Sequence, residues 1–315
     1  MVKKIAFLFP GQGSQAVGMG KDIYENYADA KNIYDTADEV LNKSITKLCF
    51  EGPEEDLKQT VNTQPCIVTT SIALMEALRS ELNVVPDYTA GHSLGEYCAM
   101  FTAGVMSLET TFKLIQKRAD LMGATKGGSM AAILNASEEV LKAGLEEGRK
   151  VGYVDVANYN SPAQVVITGD ENAVKAAGDY ILANGARRVV PLAVSGAFHS
   201  KFMQEAGNVF AEFIEDADLN DSSIPVITNV DAELTTSAED FRAKMPKQIY
   251  SSVHWTQTIQ KMVEEGVDTF VEIGPGKVLA GLNKKIAPEA TIYNVFDKAS
   301  LENTVSALKE QLAEV

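Results

Sequence analysis

The chain has 315 residues, of which 45% are hydrophobic and 23% charged, a composition typical of a folded protein with a sizeable core. Its 28 basic and 43 acidic residues give a net charge of −15, which argues against nucleic acid and anionic membrane surfaces as general partners. Three scattered cysteines exclude a disulfide framework, no C-x-x-C pair indicates a metal site, and no apolar run could span a membrane, so we expect a reduced, soluble, cytoplasmic protein.

The first part of the chain predicts strands that alternate with helices. Residues 5–9 form a short, continuously apolar run, typical of a parallel strand covered on both faces. A helical region follows through residues 24–34, and a second helix is predicted from Cys66 to Leu82, beginning just after Pro65. A brief strand is then expected at residues 88–90.

The stretch GHSLG, residues 91–95, follows that strand and precedes a helix predicted for EYCAMFTAGVM. A strand, a tight glycine turn and a helix are the setting in which a nucleophile elbow works. The turn exposes the serine oxygen, and the N-terminus of the helix points its free N–H groups at developing negative charge. Ser93 is therefore the candidate nucleophile.

A small inserted domain is predicted for residues 127–194. Strands are expected at 129–134, 153–157, 165–168 and 188–194, and helices are expected at 137–148 and 170–185. The order βαββαβ is that of the ferredoxin-like unit. Residues 1–126 and 195–315 then form a large α/β domain, with further strands in IPVITNV and TFVEIG and helices near 256–265 and from about 300.

A serine nucleophile needs a base, and the chain has three histidines. His92 adjoins Ser93, so on an extended approach to the turn its side chain points away from that of the serine. His254 could be a core or a surface residue beside Trp255. His199 lies where a predicted strand ends and a helix begins, at the edge where α/β sites assemble. His199 is therefore the preferred base, with a capping or packing role as the alternative.

Arg118 lies in a helix predicted from an N-cap at Ser107 to Gly123, inside an apolar arc between Leu114 and Met122. A buried guanidinium needs an anionic partner. That partner is either an acidic residue in a structural salt bridge or the carboxylate of a substrate, which the guanidinium would hold with two hydrogen bonds.

The loop FPGQGSQA also fits G-x-G-x-x-A, a loose dinucleotide fingerprint. The twenty residues that follow are helical and offer no second strand that ends in an acidic ribose ligand, so we expect no dinucleotide cofactor. A loop at the end of a first strand can instead present backbone N–H groups to an oxyanion. The N–H groups of Gln12 and Leu94 are the candidate oxyanion hole.

Seven stretches, spread over nearly the whole chain, occur in this order: FPGQGSQ, TQPC, AGHSLGEYCA, the Arg118 helix, NSPAQVVITG, GAFHS and VEIGPGKVL. In these stretches the chain resembles the malonyl-CoA:acyl carrier protein transacylases of bacterial type II fatty acid synthesis. The resemblance implies an α/β-hydrolase-like large domain with a parallel sheet and an inserted ferredoxin-like small domain.

The resemblance also implies roles for single residues. Ser93 would be the acylated nucleophile and His199 its base and later acid. Arg118 would hold the malonyl carboxylate, and the backbone N–H groups of Gln12 and Leu94 would form the oxyanion hole. Malonyl-CoA would be a substrate rather than a cofactor, no other cofactor is implied, and acyl carrier protein would be the partner, in fatty acid or polyketide synthesis.

Further positions match the same family less directly. Asn158 and Asn160 correspond to residues that line the substrate cleft, and Phe198 before the histidine is similar to malonyl-selective members. In many members a glutamine precedes the tryptophan of a VQW stretch and helps to hold the catalytic histidine, whereas this chain has His254 there. Orientation through a backbone carbonyl would survive that change, and orientation by a glutamine amide would not.

Two other classes of function compete with acyl transfer. A serine esterase or thioesterase would share the elbow but pass the acyl group to water. No acidic third triad member stands out, and an interior arginine suits an acid-bearing acyl group better than a neutral ester. A dinucleotide-binding or scaffold protein is the third class, and the missing acidic ribose ligand counts against it.

Carrier proteins are acidic, as is this chain, so a productive encounter needs a local basic patch. Two pairs qualify by sequence: Arg187 with Arg188, and Lys284 with Lys285. Each pair is a candidate docking site, with an ordinary solvated surface as the alternative.

Overall fold

The computed structural model describes residues 3–313, in which two separate β-sheets are surrounded by helices. The strands are β1 (Lys4–Phe9), β2 (Tyr88–Gly91), β3 (Ser129–Leu134), β4 (Val154–Ser161), β5 (Gln164–Gly169), β6 (Arg188–Pro191), β7 (Val226–Ile227), β8 (Leu234–Thr235), β9 (Val267–Ile273) and β10 (Thr291–Val295). The α-helices are α1 (Lys21–Asn26), α2 (Ala28–Leu41), α3 (Ile45–Glu51), α4 (Glu54–Leu57), α5 (Thr60–Glu81), α6 (Gly95–Thr102), α7 (Leu108–Ala124), α8 (Glu138–Arg149), α9 (Glu171–Ala183), α10 (Gln204–Ile214), α11 (Ala238–Tyr250), α12 (Trp255–Glu264), α13 (Val278–Ile286) and α14 (Lys298–Ala313). None of the helices within residues 3–313 is both long and apolar enough to cross a membrane.

The larger sheet has the strand order β10-β9-β1-β2-β7-β8. Its strands pair in parallel, except for the antiparallel edge pair β7 and β8. Successive side chains of β1 enter two different cores, with Phe7 and Phe9 on one face and Ala6 and Leu8 on the other. The continuous apolar run at the start of the chain therefore has the expected cause, which is burial on both faces of a parallel sheet.

The smaller sheet is antiparallel and has the order β4-β5-β3-β6. Its elements follow one another along the chain as β3-α8-β4-β5-α9-β6, which is the predicted order. Ala131 and Ile133 face a core shared with α8 and α9, whereas Met130 and Ala132 on the opposite face pack into the main core. The smaller sheet therefore packs against the rest of the molecule through its second face.

The two predicted serine N-caps are present, since Ser107 and Ser137 accept hydrogen bonds from the backbone N–H groups three residues later, at 3.1 and 3.2 Å. The predicted end of β6 is wrong, because the strand stops at Pro191 rather than at Val194. Residues 192–200 form no helix or strand, so His199 lies on a loop and not directly at a strand end. The predicted helix EYCAMFTAGVM also ends early, at Thr102.

The predicted start of α5 is wrong as well. The helix begins at Thr60, and Pro65 lies inside it. A proline inside a helix leaves the carbonyl four residues earlier without its usual N–H donor. Here that carbonyl belongs to Val61, and it accepts instead from Lys43 Nζ at 3.5 Å and Gln116 Nε2 at 3.3 Å. Donors from outside the helix therefore allow the proline to stay within it.

Candidate active site

The turn between β2 and α6 has the geometry of a nucleophile elbow. Ser93 has a φ of 53°, in the left-handed region that residues with a Cβ rarely adopt. A Cβ on Gly91 would lie 1.9 Å from the carbonyl carbon of Gly95, and a Cβ on Gly95 would lie 2.3 Å from the carbonyl oxygen of Phe9. Both glycines of G-x-S-x-G are therefore required by close backbone approaches, and the predicted strand, turn and helix are present.

Two residues far along the chain fix both peptide groups of Ser93. Its N–H donates to Asn229 Oδ1 at 2.8 Å, and its carbonyl oxygen accepts from Gln248 Nε2 at 2.7 Å. Asn229 Nδ2 also donates to the carbonyl oxygen of Gly91 at 2.8 Å. The sequence does not predict either residue, because they come from a loop and a helix more than 130 positions away and no local pattern marks them.

His199 is placed as a base for the serine. Its Nε2 lies 2.8 Å from Ser93 Oγ, and its Nδ1 lies 2.9 Å from the carbonyl oxygen of Gln248 and 3.1 Å from that of Ser251. Since carbonyl oxygens only accept, Nδ1 carries the proton and Nε2 accepts from the serine hydroxyl. Burial, and then the positive charge of Arg118, lower the pKa of His199 to about 3, so the imidazole is neutral at pH 7.

Backbone carbonyls thus occupy the position that a carboxylate holds in a Ser-His-Asp triad. The side chain of His254 is not needed for this, because its ring stacks on that of Tyr159 with a centroid distance of 5.2 Å. His92 is also directed elsewhere, with its Nε2 2.8 Å from Asn160 Oδ1. Among the three histidines, His199 is the one that contacts the hydroxyl of Ser93.

Arg118 is fully buried and is held by neutral groups. Its Nη1 donates to Gln64 Oε1 at 2.6 Å, and its Nη2 donates to Gln248 Oε1 at 2.9 Å and to Ser93 Oγ at 3.0 Å. Its Nε has no hydrogen-bond partner, and no salt bridge to Arg118 forms within residues 3–313. The structural salt bridge that the sequence left open is therefore not found among the described residues. Gln64 lies in the TQPC stretch, which is the signal that could have indicated it.

A buried carboxyl group lies close to this arginine without pairing with it. Glu96 is 1% exposed, and its Oε2 accepts from the backbone N–H of Asn229 at 2.6 Å. Burial raises the pKa of Glu96 to about 8, although the nearby charge of Arg118 acts in the opposite direction. At neutral pH the carboxyl group is therefore mostly protonated and leaves the charge of Arg118 largely uncompensated.

A cavity of about 110 Å³ opens onto these groups. It is lined by Gln12, Gln64, His92, Ser93, Leu94, Arg118, Met122, Met130, Asn158, Leu192, Val194, Phe198 and His199. The backbone N–H groups of Gln12 and Leu94 donate to no protein acceptor within residues 3–313. The predicted nucleophile, base, arginine and oxyanion donors therefore surround one space, with Asn158 and Phe198 in its wall.

A second cavity of about 220 Å³ continues from the first. The two share Gln12, His92, Asn158 and Leu192 in their walls, and Asn160 lines the second. Three residues of α13 also line the second cavity: Val278, Leu279 and Leu282. In the part of the chain that the structure describes, no group of three or more His, Cys, Asp or Glu residues could hold a metal ion.

The four candidate docking residues are all exposed. Arg187 precedes β6 and Arg188 begins it, at the edge of the smaller sheet. Lys284 and Lys285 lie in the last turn of α13. None of the four lines either cavity, but the lysines lie on the helix whose first residues line the second one.

Comparison with known proteins identifies the family to which the chain is similar. Residues 6–296 match the acyl transferase domain family. The chain is 43% identical over 314 residues to the malonyl CoA-acyl carrier protein transacylase of Bacillus subtilis, covering 98% of this chain and 99% of the relative. The solved structure of a protein of the same name from Clostridium perfringens superposes with a TM-score of 0.94 at 38% identity, covering 99% of this chain and all of the other. A malonyl-transacylase solved in complex with its type II polyketide acyl carrier protein has a TM-score of 0.93 at 36% identity, covering 97% and 100%.

Proposed function

The chain belongs to the acyl transferase family and, within it, to the malonyl CoA-acyl carrier protein transacylases, and on that basis we propose how its own residues perform the transfer. A malonyl group passes from malonyl-CoA to Ser93 and then to the phosphopantetheine thiol of an acyl carrier protein. The position of the Ser93 hydroxyl supports this most directly, since it lies 2.8 Å from His199 Nε2 and 3.0 Å from Arg118 Nη2. One contact activates the nucleophile, and the other marks where the acidic end of the acyl group binds.

In the first half-reaction, Ser93 Oγ attacks the thioester carbonyl while its proton moves to His199 Nε2. The negative charge that develops on the carbonyl oxygen is stabilised by the free N–H groups of Gln12 and Leu94. The N–H of Ser93 itself is unavailable for this, because it donates to Asn229. Collapse of the intermediate breaks the carbon–sulfur bond, and the departing thiolate of coenzyme A takes the proton from Nε2.

In the second half-reaction the carrier thiol gives its proton to His199 Nε2 and attacks the malonyl ester of Ser93. The carbon–oxygen bond then breaks, and the serine oxygen recovers the proton from the imidazolium. The Nδ1–H bonds to the carbonyls of Gln248 and Ser251 stabilise the charged imidazole in both half-reactions.

Selectivity for malonyl follows from the charge of Arg118. The guanidinium is buried, and the described residues provide it with no salt bridge, so an acyl group with a free carboxylate supplies the missing anion. Arg118 lines the cavity, so its guanidinium can contact that carboxylate. Phe198 and Asn158 confine the acyl group in the same cavity.

The second cavity is the proposed channel for the pantetheine arm, with Asn160 and α13 in its walls. The carrier protein docks where that channel reaches the surface. Lys284 and Lys285 on α13 are the better-placed basic pair, and Arg187 with Arg188 is the second candidate. The solved complex of a similar malonyl-transacylase with its acyl carrier protein supports such docking.

We also infer the finer architecture of the chain and the setting of the reaction. Residues 1–126 and 195–315 form an α/β-hydrolase-like unit, and residues 127–194 form a ferredoxin-like unit, which the order β4-β5-β3-β6 of the smaller sheet supports. The reaction serves fatty acid synthesis in the cytoplasm, where the free, buried thiols of Cys49, Cys66 and Cys98 stay reduced. The transfer uses no cofactor.

Mass spectrometry of the intact protein mixed with malonyl-CoA tests the proposal. We expect a malonyl adduct on Ser93 that is stable until a carrier protein bearing phosphopantetheine is added and that is then transferred to its thiol. Ser93→Ala is the control and should show no adduct. Rapid loss of the adduct to water would instead identify a hydrolase, and an unmodified protein would exclude acyl transfer altogether.

A further inference from the structure

We propose that Glu96 and Asn229 are a positioning pair for the nucleophile: Glu96 fixes the backbone of Asn229, and the side chain of Asn229 in turn holds the elbow that carries Ser93. The inference deepens the function proposed above and rests on it. Neither residue lines either cavity, so both act on the reaction through Ser93.

Asn229 spans the elbow with both ends of its amide. Its Nδ2 donates to the carbonyl oxygen of Gly91, the last residue of β2, and its Oδ1 accepts from the N–H of Ser93, both at 2.8 Å. The side chain therefore clamps the end of the strand to the peptide group of the nucleophile. A φ of 53° at Ser93 is unfavourable for a residue with a Cβ, and it persists where the surroundings impose it.

Glu96 determines where Asn229 lies. It is the second residue of α6, only three positions after Ser93, yet its carboxyl group does not cap its own helix. Its Oε2 instead accepts from the backbone N–H of Asn229 at 2.6 Å, while His254 N donates to the carbonyl oxygen of Asn229 at 3.0 Å. Both peptide groups that flank the Asn229 side chain on the loop after β7 thus have fixed partners.

The unfavourable burial of Glu96 indicates that its contact with Asn229 contributes to function. The residue is 1% exposed and forms no salt bridge within residues 3–313, although burying an unpaired carboxyl group is unfavourable. An apolar side chain of similar size would fill the same volume at lower cost. An apolar side chain could not accept a hydrogen bond from the Asn229 N–H. Without that bond, Asn229 would no longer hold the elbow in place.

Misalignment of the elbow would affect two contacts at once. Ser93 Oγ meets His199 Nε2 at 2.8 Å and Arg118 Nη2 at 3.0 Å, and both distances depend on the same backbone conformation. Loss of the pair should therefore slow the attack by the serine on any acyl donor, with or without a carboxylate. The binding of malonyl-CoA should change much less, because neither residue lines either cavity.

Four variants separate these effects: Glu96→Gln, Glu96→Ala, Asn229→Ala and the double Glu96→Ala/Asn229→Ala. Glutamine keeps a carbonyl oxygen for the Asn229 N–H, and alanine does not. Glu272→Ala is the matched control, since Glu272 is also a carboxyl group that is 1% exposed and accepts backbone N–H groups, those of Leu279 and Ala280. Thermal unfolding of every variant gives its loss of stability.

The readouts are the single-turnover rate of malonylation at saturating malonyl-CoA and the rate at which a fluorophosphonate labels Ser93. Both rates should fall about 10- to 100-fold in Glu96→Ala and Asn229→Ala, the loss expected when a buried hydrogen bond is broken. Glu96→Gln should restore most of the rate. Because Glu96 acts through Asn229, the double variant should be no slower than Asn229→Ala.

Two results would overturn the inference. One is a double variant whose loss is the product of the single losses, because the residues would then act independently. The other is a Glu272→Ala variant that slows labelling as much as Glu96→Ala at the same loss of stability. Failure of the proposed function would look different, since the wild-type protein would then give no malonyl adduct on Ser93 at all.

Discussion

The guanidinium of Arg118 donates to the hydroxyl of Ser93 at 3.0 Å, so the nucleophile and the candidate carboxylate clamp are direct neighbours. The same Nη2 also donates to Gln248 Oε1, and the other end of that amide donates to the carbonyl oxygen of Ser93. One glutamine side chain therefore sets the distance between the clamp and the nucleophile. This arrangement makes substitutions of Arg118 informative about both.

Arg118→Ala should reduce malonyl transfer far more than acetyl transfer. The malonyl carboxylate would be buried without a partner, at a cost of about 3–5 kcal/mol, or on the order of 100- to 5,000-fold in kcat/KM. Acetyl transfer should lose only what the contact with Ser93 contributes. Arg118→Lys keeps the charge but loses the planar guanidinium, so its rate of malonyl transfer should lie between those of the wild type and Arg118→Ala. Steady-state rates with malonyl-CoA and acetyl-CoA measure the two losses. Equal losses for both substrates would indicate a purely structural arginine.

Removal of the proposed base should slow acylation severely. In His199→Ala we expect a loss of about 10²- to 10⁴-fold, the usual contribution of general acid–base catalysis. His254→Ala should stay close to the wild-type rate, because its ring stacks on Tyr159 and lies away from the serine. Rapid-quench measurement of acylation compares them, with Ser93→Ala as the zero-rate reference. A His254 variant as slow as the His199 variant would contradict the assignment of His199 as the base.

The rate of acylation should not fall between pH 8 and pH 5.5. His199 acts as a base only when it is neutral, and its pKa of about 3 keeps it neutral throughout this range, whereas an ordinary histidine would be mostly protonated below pH 6.5. Single-turnover acylation across this range tests the expectation. A sigmoidal loss of rate centred near pH 6.5 would contradict it.

The same pKa has a consequence for stability. Between about pH 3 and pH 6.5 the unfolded chain binds a proton at His199 and the folded chain does not, so the free energy of unfolding decreases as the pH falls through this window. Thermal unfolding measured alongside the rates therefore shows whether a loss of activity at low pH comes from unfolding rather than from protonation of the base.

Reversing the charges of one basic pair should weaken transfer to the carrier protein and leave acylation by malonyl-CoA nearly unchanged. Lys284→Glu/Lys285→Glu is expected to have the larger effect, since α13 borders the second cavity, and Arg187→Glu/Arg188→Glu serves as the comparison. The carrier half-reaction of the wild type should also slow as salt rises. A charge-reversed enzyme that keeps its full carrier rate at low salt would remove that pair from the docking site.

Local chemistry made part of this molecule predictable from its sequence. Gly91 reflects a close backbone contact with Gly95, four residues away, and the caps at Ser107 and Ser137 reflect contacts three residues apart. The apolar position of Arg118 on its helix predicted its burial correctly, because the helical period alone determines which side faces the core.

Other features depend on contacts that local patterns do not encode. The groups that fix Ser93 and His199 come from Asn229, Gln248 and Ser251, which only the tertiary fold brings to the elbow. The sequence predicts a helix start just after Pro65, but the proline lies inside the helix. This is possible because the donors to the carbonyl of Val61 come from outside the helix, which no local pattern shows. The roles of the site residues and the boundaries of the small domain stay predictions.

The chain enters and leaves the segment with the smaller sheet at one place, where Gly127 and Gly196 form a parallel bridge. Neighbouring ends make a segment easier to exchange for one from a relative. Asn158 would travel with such a graft, whereas Ser93, His199 and the arginine would remain. A chimera of two relatives would therefore combine a cavity wall from one parent with the reacting groups of the other, and the shape of the acyl pocket could be inherited separately from the chemistry.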